Sequence, residues 1–257
     1  MEKLTIIKVG GKIVEEEQSL KRLLKDFAQI DGHKILVHGG GRSATKLAER
    51  LGIESRMING RRITDMETLQ VVTMVYGGLV NKNIVAGLQA LGVNALGLTG
   101  ADMNLIRSEK RPVKDIDYGF AGDVKEVNTG ILSSLISQGI VPILAPLTHD
   151  KQGRILNTNA DTIAGETAKA LAKVFDVNLV YCFEKKGVLM DENDDNSVIP
   201  SLNKAEFKDL VQKGIIQGGM IPKLDNAFES VEAGVKEVVI TSADEIGKNS
   251  GTHIYLP

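Results

Sequence analysis

The chain has 257 residues, 42% of them apolar, enough to bury a large core as one large α/β domain or two unequal lobes. Lys and Arg number 31 against 33 Asp and Glu, a net charge of −2, which argues against the basic bias of a nucleic-acid binder. A single cysteine, Cys182 in the apolar run NLVYCF, excludes an intrachain disulfide and reads as a small buried side chain.

Met1 is followed by a charged pair and the strand-like LTIIKVG, with no leader and no apolar run of spanning length, so a cytoplasmic protein without a membrane partner is expected. The run LTIIKV predicts a first strand, and Leu20, Leu23, Leu24 and Phe27 fall at helical spacing behind it. KILVH predicts a second strand, followed by a helix over about 43–51. These strand runs lack polar alternation, which is how strands covered on both faces read; a mainly parallel sheet between helical layers follows.

SRMINGRRIT predicts a hairpin turning at Asn59-Gly60, with Arg61 and Arg62 just past its tip. Thr64 with Glu67 forms a T-x-x-E capping box that opens a long helix over about 65–91, despite the Gly77-Gly78 pair. A strand over 94–98 comes next, then short strands or a hairpin over 101–127, a helix over 130–138 and the buried strand VPILAP. The second half repeats the rhythm. It has a helix over 162–173, the strand NLVYCF, an acidic surface turn DENDDN, helices over 204–213 and 222–234, and the strands KEVVIT and THIYL. Pro222 suits the first turn of its helix.

Two glycine turns follow buried strands, KVGGK (8–12) and VHGGGR (37–42). Glycine lets backbone N–H groups approach anionic oxygens, so two such turns on adjacent strands point to one shared anion site beyond the strand ends. Lys8 stands at the end of the first strand, where it can act as a point charge for phosphate. In LNTNAD, Asn157, Asn159 and Asp161 alternate before a helix; they share one face if the chain is extended, or Asn159 or Asp161 caps the helix. GGMIPKL places Lys223 beside a helix start that can face phosphate. There is no G-x-x-x-x-G-K-S/T loop and no catalytic-loop set of a protein kinase. The histidines His33, His38, His149 and His253 lack metal-ligand spacing. Gly39, Gly41 and Ala44 fit a dinucleotide fingerprint, but a hairpin follows where that fold places its ribose-binding acid, which disfavours nicotinamide.

In their order, KVGG, VHGGG, NGRRIT, LNTNAD and GGMIPK resemble the amino acid kinase family over about 3–256, and within it the enzymes that phosphorylate N-acylated glutamate. The resemblance implies a three-layer αβα sandwich with a mainly parallel central sheet. A lobe of about 1–175 would bind the acylated amino acid and a lobe of about 176–257 would bind ATP, with Mg2+ carried on the nucleotide and no protein-held metal site. It implies transfer of phosphate to the γ-carboxylate of N-acetyl-L-glutamate, a step of arginine biosynthesis. Lys8 and Lys223 would stabilise the moving phosphoryl group and Asp161 would orient both. Gly10, Gly11 and Gly41 would offer N–H groups to phosphoryl oxygens, and Gly40 and Gly41 would contact the reacting carboxylate. Arg62 would hold the α-carboxylate, Asn157 the acylamino end, and Asn159 belongs to the same substrate set. Glu184, Gly187, Val188 and Leu189, with Ile215, Ile216 and Gln217, would contact the nucleotide. Two departures fall in that lobe: Glu184 stands where relatives usually carry Asp, and QGGM replaces their T/S-x-GM.

Rival readings are a family member acting on aspartate, glutamate, carbamate or UMP, and a catalytically silent sensor of the same fold. Arg42 and Arg61 add positive charge beside the inferred pocket, which makes an acidic acyl group such as succinyl an alternative. In arginine-inhibited relatives an extra N-terminal helix links dimers into a ring; only Met1, Glu2 and Lys3 precede the first strand here. Insensitivity to arginine and a homodimer built on the long helix, with Gly77-Gly78 at the contact, are therefore expected.

Overall fold

The computed structural model describes residues 1–58, 60–248 and 250–256. The chain opens with β1 (Lys3–Val9), a short α1 (Gly11–Glu15), α2 (Glu17–Ala28), β2 (His33–His38) and α3 (Gly41–Arg50). The two-residue strands β3 (Met57–Ile58) and β4 (Arg61–Arg62) pair antiparallel as the hairpin reading requires; Asn59 at its tip lies outside the described residues. Then come α4 (Met66–Val72), a π-helical segment (Thr73–Val80), α5 (Asn81–Gln89), β5 (Ala95–Leu98), β6 (Ile106–Lys110), β7 (Gly122–Val127) and α6 (Thr129–Ser137). The chain continues through β8 (Val141–Leu144), β9 (Leu147–His149), β10 (Ile155–Asn157), α7 (Ala160–Leu171), β11 (Asp176–Phe183), β12 (Ser201–Leu202), α8 (Lys204–Gln212), α9 (Met220–Glu232), β13 (Glu237–Ser242) and β14 (Thr252–Ile254).

The central sheet has the order β12-β14-β13-β11-β1-β2-β8-β5, and of its neighbouring pairs only β13 and β14 run antiparallel. The continuous apolar runs are explained by where alternate residues go. Leu4 and Ile6 of β1 pack with residues of α6 to α9, whereas Ile7 and Val9 pack with residues of α2 to α5. Both faces of the strand are covered, so neither face is polar. Cys182 sits in the second of these layers, and burial pushes its thiol up to about 12. A second sheet, β10-β9-β6-β7, holds the 101–127 hairpin expected from the sequence and leads into α7.

The long helix is present but not uniform: α4, the π segment and α5 run on as one helix from Met66 to Gln89. Its cap differs from the expected one. The Asp65 side chain accepts a hydrogen bond from the Thr68 N–H and closes the first turn, which frees Thr64 for a different role. The helix also corrects the expectation that no apolar run of spanning length exists, because its 24 residues are long and apolar enough to cross a membrane. Their apolarity has a visible use on one side, where Val72, Val75, Val80, Ile84 and Leu88 are buried in the core. On the other side Met66, Met74 and Leu79 are more than half exposed.

Candidate active site

In a parallel sheet all strands deliver their carboxyl ends to one edge, and here β1, β2 and β11 are adjacent. Lys8 is the last residue but one of β1. Its Nζ pairs with Asp161 Oδ1 at 2.8 Å, the carboxylate being brought in by the first turn of α7. Phe183 ends β11, and its ring centroid lies 3.7 Å from Lys223 Nζ and 5.2 Å from Lys8 Nζ. Two ammonium groups thus face one aromatic ring, which attracts cations while leaving their charge available to a ligand. Burial lowers the pKa of Lys223 and the Lys8 charge adds to this, while Asp161 and Glu184 oppose it.

The two glycine turns touch backbone to backbone. Gly39 N–H donates to Val9 O at 3.0 Å, and a Cβ on Gly39 would stand 3.0 Å from the Gly11 nitrogen. A Cβ on Gly40 would meet a Tyr76 ring carbon at 2.8 Å, so the helix beneath the turn dictates glycine there. α3 and α9 start at Gly40 and Gly219, and neither start is capped by a side chain. At α3 the first amides therefore remain as donors for an anion, whereas at α9 the Met220 and Ile221 N–H groups bond the Gln217 and Gly218 carbonyls and Pro222 has none.

Two clefts flank this junction. The first, about 200 Å³, is lined by Gly39, Gly40, Arg62, Tyr76, Asn157 and Asn159 among others. The second, about 450 Å³, is lined by Gly10, Lys12, Glu184, Gly187, Met220 and Lys223 among others. Gly11 and Gly41 line both. A group moving from one cleft to the other passes between the two glycine turns, beside the lysine pair. Such a junction can neutralise negative charge on a transferring group, and an acceptor carboxylate, already ionised at neutral pH, needs no general base.

Most of the residues singled out from sequence come together here. Arg62 is buried and donates to Ser55 Oγ at 2.9 Å, Gly41 O at 2.8 Å and Thr45 Oγ1 at 2.9 Å. Asn157 donates through Nδ2 to Thr64 Oγ1 at 2.9 Å, the residue displaced from the helix cap. Asn159 caps α7, accepting from the N–H groups of Asp161 and Thr162, so of the two readings of LNTNAD the capping one holds; Asp161 is already helical and reaches Lys8 from the first turn. Glu184 is held by ion pairs to Lys12 at 3.3 Å and Arg42 at 3.2 Å, one from each glycine turn. Arg42 consequently lines the second cleft and not the first, which removes it from the acyl-group argument. Val188 is buried, with its N–H donating to Thr252 Oγ1, and Leu189 bridges Val198. Ile216 is in the core, Ile215 packs against it, and Gln217 bonds the Gly214 carbonyl. None of these five lines the second cleft.

His38, Asn81, Tyr76 and Phe183 were not legible as site residues. His38 is fully buried beneath the second turn: Nδ1–H donates to Gly39 O at 2.7 Å, and Nε2 accepts from Asn81 Nδ2 at 3.1 Å. Its position next to three glycines is the one signal that was available. Burial drives its pKa down to about 4, with Lys82 contributing and the Gly39 bond opposing. The folded pKa lies below the ordinary value near 6.5, so the unfolded chain binds the proton more readily between those limits. Stability from this group is complete above about pH 6.5 and is lost as pH falls towards 4, by about 3 kcal/mol. Urea midpoints measured at pH 7 and pH 4.5 should fall more for the wild type than for His38→Gln; equal falls would refute the buried neutral imidazole.

The chain belongs to the amino acid kinase family, whose sequence profile matches residues 3–242. Relatives it matches include several named acetylglutamate kinase. One from Parabacteroides distasonis is 74% identical over 255 residues, covering 99% of this chain and 100% of that one. Another from Cytophaga hutchinsonii is 58% identical, covering 96% and 94%. Among solved structures, smu.665 from Streptococcus mutans UA159 superposes with a TM-score of 0.81 at 29% identity, covering 98% of each chain.

Proposed function

We propose that this enzyme transfers the γ-phosphoryl group of ATP to the side-chain carboxylate of N-acetyl-L-glutamate, giving N-acetyl-L-glutamyl 5-phosphate and ADP within arginine biosynthesis. The observation that carries the reading is the junction itself, where Gly11 and Gly41 line both clefts beside the Lys8–Asp161 pair. The first cleft, drawn from the 1–175 lobe, takes the acylated amino acid. The second takes ATP and is built from residues between 182 and 240 together with residues 10–13, Gly41 and Arg42, so the nucleotide lobe is completed by the other.

The γ-carboxylate lies against the Gly40 and Gly41 amides and attacks the γ-phosphorus in line. As the bond to the β-phosphate oxygen breaks, charge moves onto oxygens faced by Lys8, Lys223 and the N–H groups of Gly11 and Gly41. Asp161 positions Lys8 through the 2.8 Å pair and lies near enough to Lys223 to raise its proton affinity. Arg62 holds the α-carboxylate and Asn157 the acylamino group. Mg2+ enters carried on the nucleotide phosphates. When bound, that ion supplies charge neutralisation at the phosphates.

Two copies of the chain are proposed to pair across the Met66–Gln89 helix, supported by exposed Met66, Met74 and Leu79 and by the open space outside Gly78. A cytoplasmic setting, where ATP is available, is part of the same reading. Coupled ADP release with N-acetyl-glutamate, free glutamate, aspartate, carbamate and UMP tests the function. Turnover of the acylated amino acid alone is the expected result; release with none of them would leave only a binding protein.

A further inference from the structure

The first cleft carries more positive charge than N-acetyl-glutamate requires. Arg61, Arg62 and Arg111 all line it, and no Asp or Glu does. That substrate brings two carboxylates, one reacting at the glycine turn and one assigned to Arg62, whose partners Ser55, Gly41 O and Thr45 are all neutral. Arg61 remains, with Arg111, whose charge is shared with Asp123, a residue outside the cleft lining. Arg111 is fixed in place, bonded through Nε to both oxygens of Asp123 and lying 5.5 Å from the Tyr118 ring centroid. Arg61 is exposed and makes no ion pair among the described residues.

Their position relative to the acyl end is set by the backbone. Arg111 N–H donates to Ala121 O at 2.8 Å, and Asn157 N–H donates to Phe120 O at 2.9 Å. Arg111 and Asn157 therefore sit on either side of the same two residues, and Ala121 also lines the cleft. Arg61, Arg111, Ala121 and Asn157 line one cleft, so a group bound at Asn157 shares it with both guanidinium groups. A methyl group offers two guanidinium groups nothing, while a carboxylate matches their planar donor geometry.

We infer that Arg61 and Arg111 form a second carboxylate subsite at the acyl end, and that the preferred substrate class is an N-acylglutamate whose acyl group carries its own carboxylate, with succinyl as the short dicarboxylic case. This rests on the function proposed above and deepens it. Arg61 is the recognition residue to alter, since it is exposed and carries no structural ion pair, whereas Arg111 also anchors Asp123.

The test compares kcat/KM for N-succinyl-L-glutamate and N-acetyl-L-glutamate by coupled ADP release, in the wild type and in Arg61→Gln. The expected result is a succinyl-to-acetyl ratio above one in the wild type and a fall of ~10-fold or more in that ratio in the variant, the scale of one lost charge-assisted contact. Turnover of the acetyl compound with a ratio below one in the wild type overturns the subsite and leaves the kinase reading standing. So does an unchanged ratio in Arg61→Gln. No ADP release with either compound overturns the kinase reading, and the subsite with it.

Discussion

Replacing Lys8 by Ala is expected to lower kcat by ~10²-fold or more, the scale for removing one preorganised group that stabilises transition-state charge. The reason lies in its surroundings. Lys8 is buried at the end of β1 and held against Asp161, so its ammonium group cannot be replaced by a neighbouring side chain or by water without moving the glycine turn. Lys223→Ala is expected to produce a similar loss, since its ammonium group lies 3.7 Å from the same Phe183 ring centroid. The two variants should differ in stability. Lys8→Ala strands the Asp161 carboxylate, whereas Lys223 has no ion-pair partner among the described residues and its removal relieves a partly buried charge. Steady-state ADP release and urea unfolding measured on both variants separate these effects, and near wild-type kcat in either would remove that lysine from the mechanism.

Arg62→Ala is expected to raise KM for the acylated glutamate by ~10-fold to ~10²-fold, since hydrogen bonds to a charged group each contribute roughly 1.5–3 kcal/mol. The α-carboxylate is remote from the transferring phosphoryl group and is held alike before and during the reaction, so the loss belongs in KM. Because Arg62 also donates to Gly41 O, a smaller fall in kcat should accompany it. Arg62→Lys should not restore KM. The guanidinium reaches Ser55, Gly41 and Thr45 at once, a spread that a single ammonium group cannot span. An unchanged KM in Arg62→Ala would show that the substrate lies elsewhere.

What the sequence discloses is governed by range. Strands such as β1 and β2 are legible because burial on both faces leaves a local mark, an unbroken apolar run, and the parallel sheet follows from it. The glycine turns, Lys8, Arg62 and Asp161 were legible because each lies next to a strand end, a hairpin or a helix start. Pairings across long stretches of chain left no such mark. Nothing near His38 announces Asn81, and nothing near Thr64 announces Asn157, 93 residues away. The T-x-x-E pattern favoured Thr64 as a helix cap, yet Asp65 offers a stronger acceptor one residue later, and Thr64 goes instead to the asparagine of the cleft. Arg42 and Arg61 looked equivalent as flanking charges; only the fold separates them, by giving Arg42 to Glu184.

The π-helical turn between Thr73 and Val80 acts as a phase shifter for the second glycine turn. In an unbroken α-helix, residues five apart are rotated by about 500°, leaving them about 140° out of step. Bonds from i to i+5 bring such residues nearly above one another, as an inserted residue wound into the helix would. Tyr76 and Asn81 are five apart, and both serve the same turn: the ring of Tyr76 lies under Gly40, and Asn81 holds His38. Asn81 closes the segment, its N–H bonding the Gly78 carbonyl, so the wider winding ahead of it helps set how Tyr76 and Asn81 are turned towards the glycines. The same winding sets Met74 outward while Val75 and Tyr76 go inward, so the exposed apolar face and the floor of the cleft are locked to a single rotational setting of one helix.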